Sequence, residues 1–515
     1  MDLIKKNILN IALAYLLFPV YIFIFGFLNP LTIIVMLAIL AFCLLGWIKN
    51  EGLEANNYKS KAVYIVVSIV AVTLWCVFSG IGSFSFQNTD FLVRNAVLRD
   101  LINFKWPVVF DFSMTAEDIR AYFNLNEPVE FIYYFAYWLP AGMFGKIFGE
   151  RAADYFLLIW TIAGILIVIA LINTFCKKQS VATVVFLILY SGLDYIAWIG
   201  NSETGIIDAK QLEWWSEFMQ YSSNTTALYW VFNQAVPCWI ITALIMNLKK
   251  TGSKIFVASL SFWYSPFVTI GAVPIVAYFL IKEYVDARRD NKSVKGFLGE
   301  NRFWAEILWC VAELAVVGSF YLSAESSISM NGLVWKLHDI PFIKYLGIYL
   351  AFIVLELGLY FVILFKNNRH SSLFWLLYIE LAIIPLYQMA PTNEWCTRAS
   401  FMPLFILLIM VVNHFANEVD YKTLLDFKRE KKLVIKSSIA AVLFAILFSI
   451  SAITPFHEIY RSVYYTIEAG GVLPEDTIVY SIGNPVSPLG ASVCNDQYYA
   501  KGYKNKTFYK FFGKK

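Results

Sequence analysis

Residues 87–110 read QNTDFLVRNAVLRDLINFKWPVVF, and residues 126–149 read NEPVEFIYYFAYWLPAGMFGKIFG. Asp90, Asp100 and Asp111, many aromatics, and Pro107, Pro128 and Pro140 stand here between two long apolar runs. Residues 129–148 are apolar enough to cross a bilayer, and whether they do decides the side of every later loop. A crossing would put Lys177, Lys178 and all later basic loops outside, against the tendency of Lys and Arg in short loops to stay cytoplasmic. The segment therefore reads as an interfacial or re-entrant helix, and residues 83–151 as the first large extracytoplasmic loop.

Around this loop, the 515 residues are 59% hydrophobic and 15% charged, with a mean hydropathy of +0.61. Soluble domains carry roughly 25% charged residues, so the composition predicts an all-α integral membrane protein whose first partner is the lipid bilayer. Residues 8–28 follow Lys5 and Lys6 as a signal peptide would, but no small-residue cleavage site follows and a second apolar run begins at Leu31. This run reads as a retained first helix. The net charge is +4. Basic clusters at Lys5/Lys6, Lys49/Lys59/Lys61, Lys177/Lys178, Lys249/Lys250/Lys254, Arg288/Arg289/Lys292/Lys295, Lys366/Arg369 and Lys428/Arg429/Lys431/Lys432 are all explained as cytoplasmic helix ends. That leaves no patch for nucleic acid. The cysteines contain no C-x-x-C, and His338, His370, His414 and His457 are scattered, so no disulfide framework or zinc site is indicated. Cys396 and Cys494, the two placed outside, are the one pair the topology allows to bridge.

A membrane helix needs about 20 apolar residues. The runs that qualify or nearly so are 8–28, 31–48, 62–81, 152–175, 181–199, 225–248, 303–322, 345–365, 371–389, 400–415 and 437–453. A Pro-broken pair over 255–281 enters and returns near Ser265-Pro266. This gives about thirteen crossings in a multi-pass protein of the cell membrane, N-terminus cytoplasmic and C-terminus extracytoplasmic. Residues 1–454 form the membrane domain and 455–515 a small outer segment, in which 477–481 (TIVYS) predicts a strand.

Three segments share the outer face: the first loop, residues 200–224 (GNSETGIIDAKQLEWWSEFMQYSSN) and residues 390–400 (APTNEWCTRAS). An outward helix, Asp90 in a first large outer loop, then a Pro-containing amphipathic helix running from Leu139-Pro140 to Phe148-Gly149, resembles the C-type (GT-C) membrane glycosyltransferases. That group includes the protein O-mannosyltransferases and the aminoarabinose transferase. The resemblance covers the first third of the chain. It implies a GT-C-like bundle with extracytoplasmic interfacial helices, a polyprenyl-phosphate sugar donor, and a glycan, lipid or protein acceptor. It also implies that the first-loop Asp is the catalytic base, and Asp90 is the matching position. Two features depart from the group: the loop follows the third crossing, and no second acidic residue adjoins Asp90. The chain is also similar to bacterial polytopic membrane proteins carrying phrases like EWW, QYSSNTT and RAS.

Transfer of a sugar from a lipid phosphate needs a carboxylate to take the acceptor's proton, aromatic faces for the sugar, and a fixed cation for the leaving phosphate. Asp90 reads as that base, or as the cap of the following helix, or as an i,i+4 partner of Arg94. Asp100, beside Arg99, reads as a binding residue or a solvated interfacial charge. Glu213 is the second candidate base or metal holder; Trp214, Trp215 and Tyr221 read as sugar-cleft walls or an interface belt. Arg398 reads as a phosphate ligand or a snorkelling anchor, with Lys336, His338 and Lys344 as weaker alternatives. Glu313, Glu356 and Glu380 fall inside predicted helices, and intramembrane carboxylates support a competing class, a transporter or flippase of lipid-linked saccharide. No cofactor is indicated, and a divalent metal is left open. The expected activity is a glycosyltransferase of cell-envelope glycan assembly.

Overall fold

The computed structural model describes residues 2–51, 61–201, 211–290, 303–325, 330–390, 394–418, 442–469, 481–484 and 497–514. Helices α1 (Asp2–Phe27) and α2 (Pro30–Glu51) form a tight hairpin. Asn29 caps α2 by accepting from Thr32 N at 2.9 Å, and Pro30 supplies a preset φ at the first helical position. Helix α3 (Ala62–Val77) then leads into the loop.

The loop is built from α4 (Phe91–Asn103), β1 (Val109–Phe110), α5 (Glu117–Phe123), β2 (Val129–Phe131) and α6 (Leu139–Phe148). The single interfacial helix expected over 129–148 is thus corrected to a strand, a 3-10 turn at Ala136–Trp138, and α6. Val, Phe, Ile and Tyr at 129–135 suit a pleated, paired strand better than a helix. Helix α6 buries Leu139, Pro140 and Ala141 and leaves Ile147 70% and Phe148 62% exposed, an apolar face on a helix too short to cross.

The membrane part continues with α7 (Glu150–Phe175), α8 (Val181–Leu189), α9 (Asp194–Asn201), α10 (Asn224–Asn247), α11 (Thr251–Ser259) and α12 (Pro266–Arg289). It closes with α13 (Phe303–Glu313, prolonged by a π turn to Tyr321), α14 (Phe342–Asn368), α15 (Ser372–Ile383), α16 (Glu394–Ala399), α17 (Phe401–Asn413) and α18 (Val442–Glu468). Among the described residues, nine helical spans are long and apolar enough to cross, and 62–77, 372–386 and 401–417 are shorter apolar helices. This is an all-α, multi-pass membrane architecture. The run expected as one helix over 181–199 is corrected to α8 and α9, unwound between them. The Pro-broken pair enters as α11 with a 3-10 turn at Leu260–Trp263, reverses at Ser265, and returns as α12. The first arm rises about 20 Å, short of the ~30 Å hydrocarbon core, whereas α12 spans it.

Helix α10 is the central pillar, with 94% of its apolar window buried. At one end of the bundle Glu51 accepts from Lys249 N and Lys250 N at 2.9 and 3.2 Å, and Lys61 N donates to Gln179 Oε1 at 2.7 Å. At the other end the C-terminal segment docks on the first loop. Strands β3 (Asn331–Leu333) and β4 (Tyr387–Met389) pair antiparallel, and strand β5 (Tyr499–Ala500) extends the antiparallel sheet β1-β2-β5, with Glu130 opposite Ala500. Asn29 N donates to Phe512 O at 2.9 Å and Lys514 N to Phe27 O at 2.8 Å. Residues 477–480 of the expected TIVYS strand, and Cys494, lie outside the described residues; Cys396 is free and buried.

Candidate active site on the loop face

Asn88 positions Asp90. Its Oδ1 accepts from Asp90 N at 3.0 Å, a side-chain turn ahead of α4, and its Nδ2 donates to Tyr229 O at 2.9 Å. That carbonyl lies two residues before Val231, where α10 leaves helical geometry (φ −142, ψ 40). A side chain inserted into the helical ladder is an identifiable cause of such a kink. One asparagine therefore ties the loop to α10 and brings Asp90 to the same space as Trp230 and Val231.

Asp90 Oδ2 pairs with Arg94 Nη2 at 2.6 Å, its side chain 42% exposed against 7% for Arg94. Arg94 is held in turn by Asn233 Oδ1 at 3.0 Å and lies 5.9 Å over the Phe232 ring. Asp90 makes no side-chain cap bond, so of its two expected structural roles the ion pair is present and the cap is not.

Asp90, Trp214 and Arg398 line one cavity of about 660 Å³. They come from the first loop, the loop before α10 and the end of α16, segments far apart in sequence. The remaining wall is of mixed chemistry: amides of Gln211 and Gln220, hydroxyls of Thr89, Ser222 and Thr226, the Trp230 ring, and carboxylates of Glu217 and Glu394. Arg398 donates to Thr397 Oγ1 and, among the described residues, has no ion pair. The Tyr133 and Tyr134 rings, 4.0 Å apart, lie within electrostatic reach of Glu394 and Arg398.

Glu213 is not in the cavity wall. It is 1% exposed and sits behind that wall, accepting from Gln220 Nε2 at 2.9 Å, Ser223 N at 2.8 Å and Thr226 Oγ1 at 2.7 Å. Burial first and nearby Asp194 second hold its carboxyl well above the usual range. Its amide partner Gln220 accepts from Trp214 Nε1 at 3.2 Å. The Trp214 indole N–H can only donate, so Gln220 turns its oxygen to the indole and its NH2 to Glu213, and the amide thereby holds the ring at the cavity wall.

Three further expected residues are corrected. Trp215 turns inward, donating to Asp194 Oδ1 at 3.3 Å, because the 3-10 turn at Leu212–Ser216 sends adjacent side chains apart. Tyr221 is 3% exposed, packs 4.9 Å from Phe352 and donates to Leu381 O. Asp100, expected as a solvated or ligand-binding charge, is 1% exposed and accepts from Ile482 N at 2.7 Å; it fastens the C-terminal segment to α4. Burial pushes it up to about 6 despite the hydrogen bonds and Arg99 that oppose the shift. His338 bonds Gln388 Oε1 at 2.6 Å, and neither it, Lys336 nor Lys344 lines the cavity.

Glu217, Glu394 and Trp230 were missed by sequence reasoning. Glu217 has a left-handed φ of +59, a conformation costing a non-glycine residue roughly 1–3 kcal/mol and concentrated at functional sites. Glu394 stands in the quoted 390–400 phrase, and its Trp neighbour was the available signal. Among the described residues no group of three His, Cys, Asp or Glu is placed to hold a metal ion. The chain matches no protein-family model, no curated protein and no solved structure.

Proposed function

We propose that the protein is a membrane glycosyltransferase that moves a sugar from a polyprenyl-phosphate donor to an acceptor hydroxyl on the extracytoplasmic side, in cell-envelope glycan assembly. The observation that carries this reading is the convergence of Asp90, Trp214 and Arg398 on one polar, aromatic-walled cavity. The basic helix ends mark the far side as cytoplasmic, which leaves the cavity outside and the C-terminus with it.

In this reading the acceptor hydroxyl attacks the anomeric carbon as its proton passes to Asp90, and the bond from that carbon to the lipid phosphate breaks. Direct displacement inverts the anomeric centre. Arg398, a cation with no protein counter-ion among the described residues, stabilises the charge growing on the leaving phosphate. Trp214 and Trp230 offer ring faces to sugar, and the amides and hydroxyls between them offer donors and acceptors to its hydroxyls.

The test supplies purified protein in lipid vesicles with radiolabelled polyprenyl-phosphate hexoses, one at a time, and follows label leaving the lipid. Asp90→Asn should lower transfer by roughly 10²–10⁴-fold while the protein stays folded. A folded Asp90→Asn protein with full activity overturns the base assignment. Label that crosses the bilayer still attached to its lipid would favour the second reading, a flippase, for which buried Glu313, Glu356 and Glu380 are the supporting observation.

A further inference from the structure

Behind the cavity wall, residues 190–193 interrupt the span Val181–Gly200 at its middle. Backbone unwound at membrane depth must be satisfied inside the protein. Here Ser191 O accepts from Tyr360 Oη at 2.8 Å and Ser451 Oγ at 2.5 Å, and Leu193 N donates to Leu355 O at 2.9 Å. The break lies directly against α14: a Cβ on Gly192 would stand 2.1 Å from Glu356 Oε2. Glycine is required by this close approach.

The break delivers Asp194, 0% exposed, to hydrogen-bonding reach of Glu356, 4% exposed and midway along α14. Trp215 Nε1 donates to Asp194 Oδ1 and also reaches Glu356. Ser191 Oγ and Thr454 Oγ1 donate to Asp194 Oδ2 at 3.1 and 3.3 Å. Among the described residues, two buried polar atoms beside the pair have no hydrogen-bond partner, Glu356 Oε1 and the hydroxyl of Tyr190, itself 6% exposed. Among the described residues no Lys, Arg or His forms an ion pair with either carboxylate.

Two carboxylates in contact, without a cation and out of water, cannot both be ionised, because like charges at that distance repel too strongly. One proton between them converts the repulsion into a hydrogen bond. We propose that Asp194 and Glu356 form a buried proton-binding site that holds one shared proton, and that its occupancy keeps the broken helix seated on α14. Releasing the proton to solvent leaves two carboxylates and expels Gly192 from its contact. The titratable groups facing the pair are Glu213 from the 3-10 turn, Tyr190 from the break, Tyr221 from the loop before α10 and Tyr360 from α14. Helix α18 contributes the hydroxyls of Ser451 and Thr454. None of these neighbours is a cation, so none of them supplies a positive charge that would replace the proton. Trp215 links the pair to the turn that carries Trp214, so the site is coupled to the cavity under either reading of what the cavity does.

The experiment is infrared difference spectroscopy of the purified full-length protein in lipid nanodiscs, stepped from neutral to alkaline pH in potassium chloride and again in sodium chloride. A protonated-carboxyl band should vanish on the alkaline step in the wild type, and in both Asp194→Asn and Glu356→Gln that band should be lost or shifted in frequency, since one proton belongs to both residues. A wild-type band left unchanged in either single variant overturns the sharing. An alkaline step displaced by sodium but not potassium makes the occupant sodium and overturns the proton. Thermal melting reads the same site without a variant. Because the bound proton seats the broken helix, alkali that removes it should lower the wild-type melting temperature. A wild-type melting profile with no such alkaline fall overturns the proposal even where a variant fails to fold.

Discussion

Asp90 and Glu356 are both acids in an apolar chain, and their surroundings differ in kind. Asp90 is half exposed, paired to Arg94, and shares its cavity with Arg398 and two more carboxylates. Glu356 is buried against Asp194 among hydroxyls and an indole N–H, with no cation in its pocket among the described residues. The cavity keeps its charges by solvation and counter-charge, which leaves them available to a ligand. The pocket behind it removes one charge altogether. An acid kept ionised at a surface can vary with little effect on folding, whereas an acid neutralised in the core is part of the fold's own packing.

This difference predicts which measurement each substitution moves. After Asp90→Asn, the largest effect belongs to Arg398→Gln, a fall in transfer of roughly 10²–10³-fold, the scale for removing one preorganised electrostatic contact, with the melting temperature unchanged; single-turnover kinetics reads it. A folding defect of comparable size would instead place Arg398 with the structural groups. Glu213→Ala should do the reverse. It strands Gln220 Nε2, Ser223 N and Thr226 Oγ1 without their acceptor, at a cost of roughly 3 kcal/mol or more, visible in denaturation. Gly192→Ala tests the pocket by volume alone. The added methyl has no room beside Glu356, and overpacking costs about 1–3 kcal/mol, so a variant as stable as the wild type would show the break to be loosely seated.

The smallest effect belongs to Asp100, an intermediate case: buried as Glu356 is, but outside the membrane-spanning helices and hydrogen-bonded to backbone. Its folded value of about 6 lies above the ordinary 3.8. Its contribution is therefore greatest at low pH and declines as pH rises between those values, then stays level. Asp100→Asn should remove that slope, read as hydrogen exchange of the Ile482 amide across the same interval. An unchanged slope would assign it to another group.

Much of the cavity was legible because charged and aromatic residues in a loop between apolar helices have few structural uses. Asp90 stood out by its match to the first-loop Asp of the resemblance and Arg398 by topology, Trp214 and Trp215 were read together, and Asp90 with Arg94 was readable as an i,i+4 pair. Glu213 and Asp100 misled for one reason: hydrogen bonds from backbone far along the chain let an acid be buried, and no local pattern announces such donors. Trp230 was hidden inside an apolar run whose periodicity says nothing of a kink made by Asn88. The break at 190–193 was missed likewise. Tyr-Ser-Gly-Leu is apolar enough to continue a span, and only Gly192 followed by Asp194 signalled an interruption. The architecture of apolar helices followed from composition, while strand β2 within the loop required a partner at Tyr499–Ala500 that sequence order conceals.

That sheet has a consequence for biogenesis. Strands β1 and β2 are synthesised early, yet β5, which completes them, and Phe512 and Lys514, which close over the α1–α2 turn, leave the ribosome only after all the membrane helices described above. Tyr498, next to β5, lies within electrostatic reach of Arg94, Asp90 and Glu394. This rim is therefore finished only when residues 498–514 reach the side that holds the first loop. A chain inserted with one span omitted would deliver them to the opposite side, leaving β2 without β5 and the α1–α2 turn uncovered.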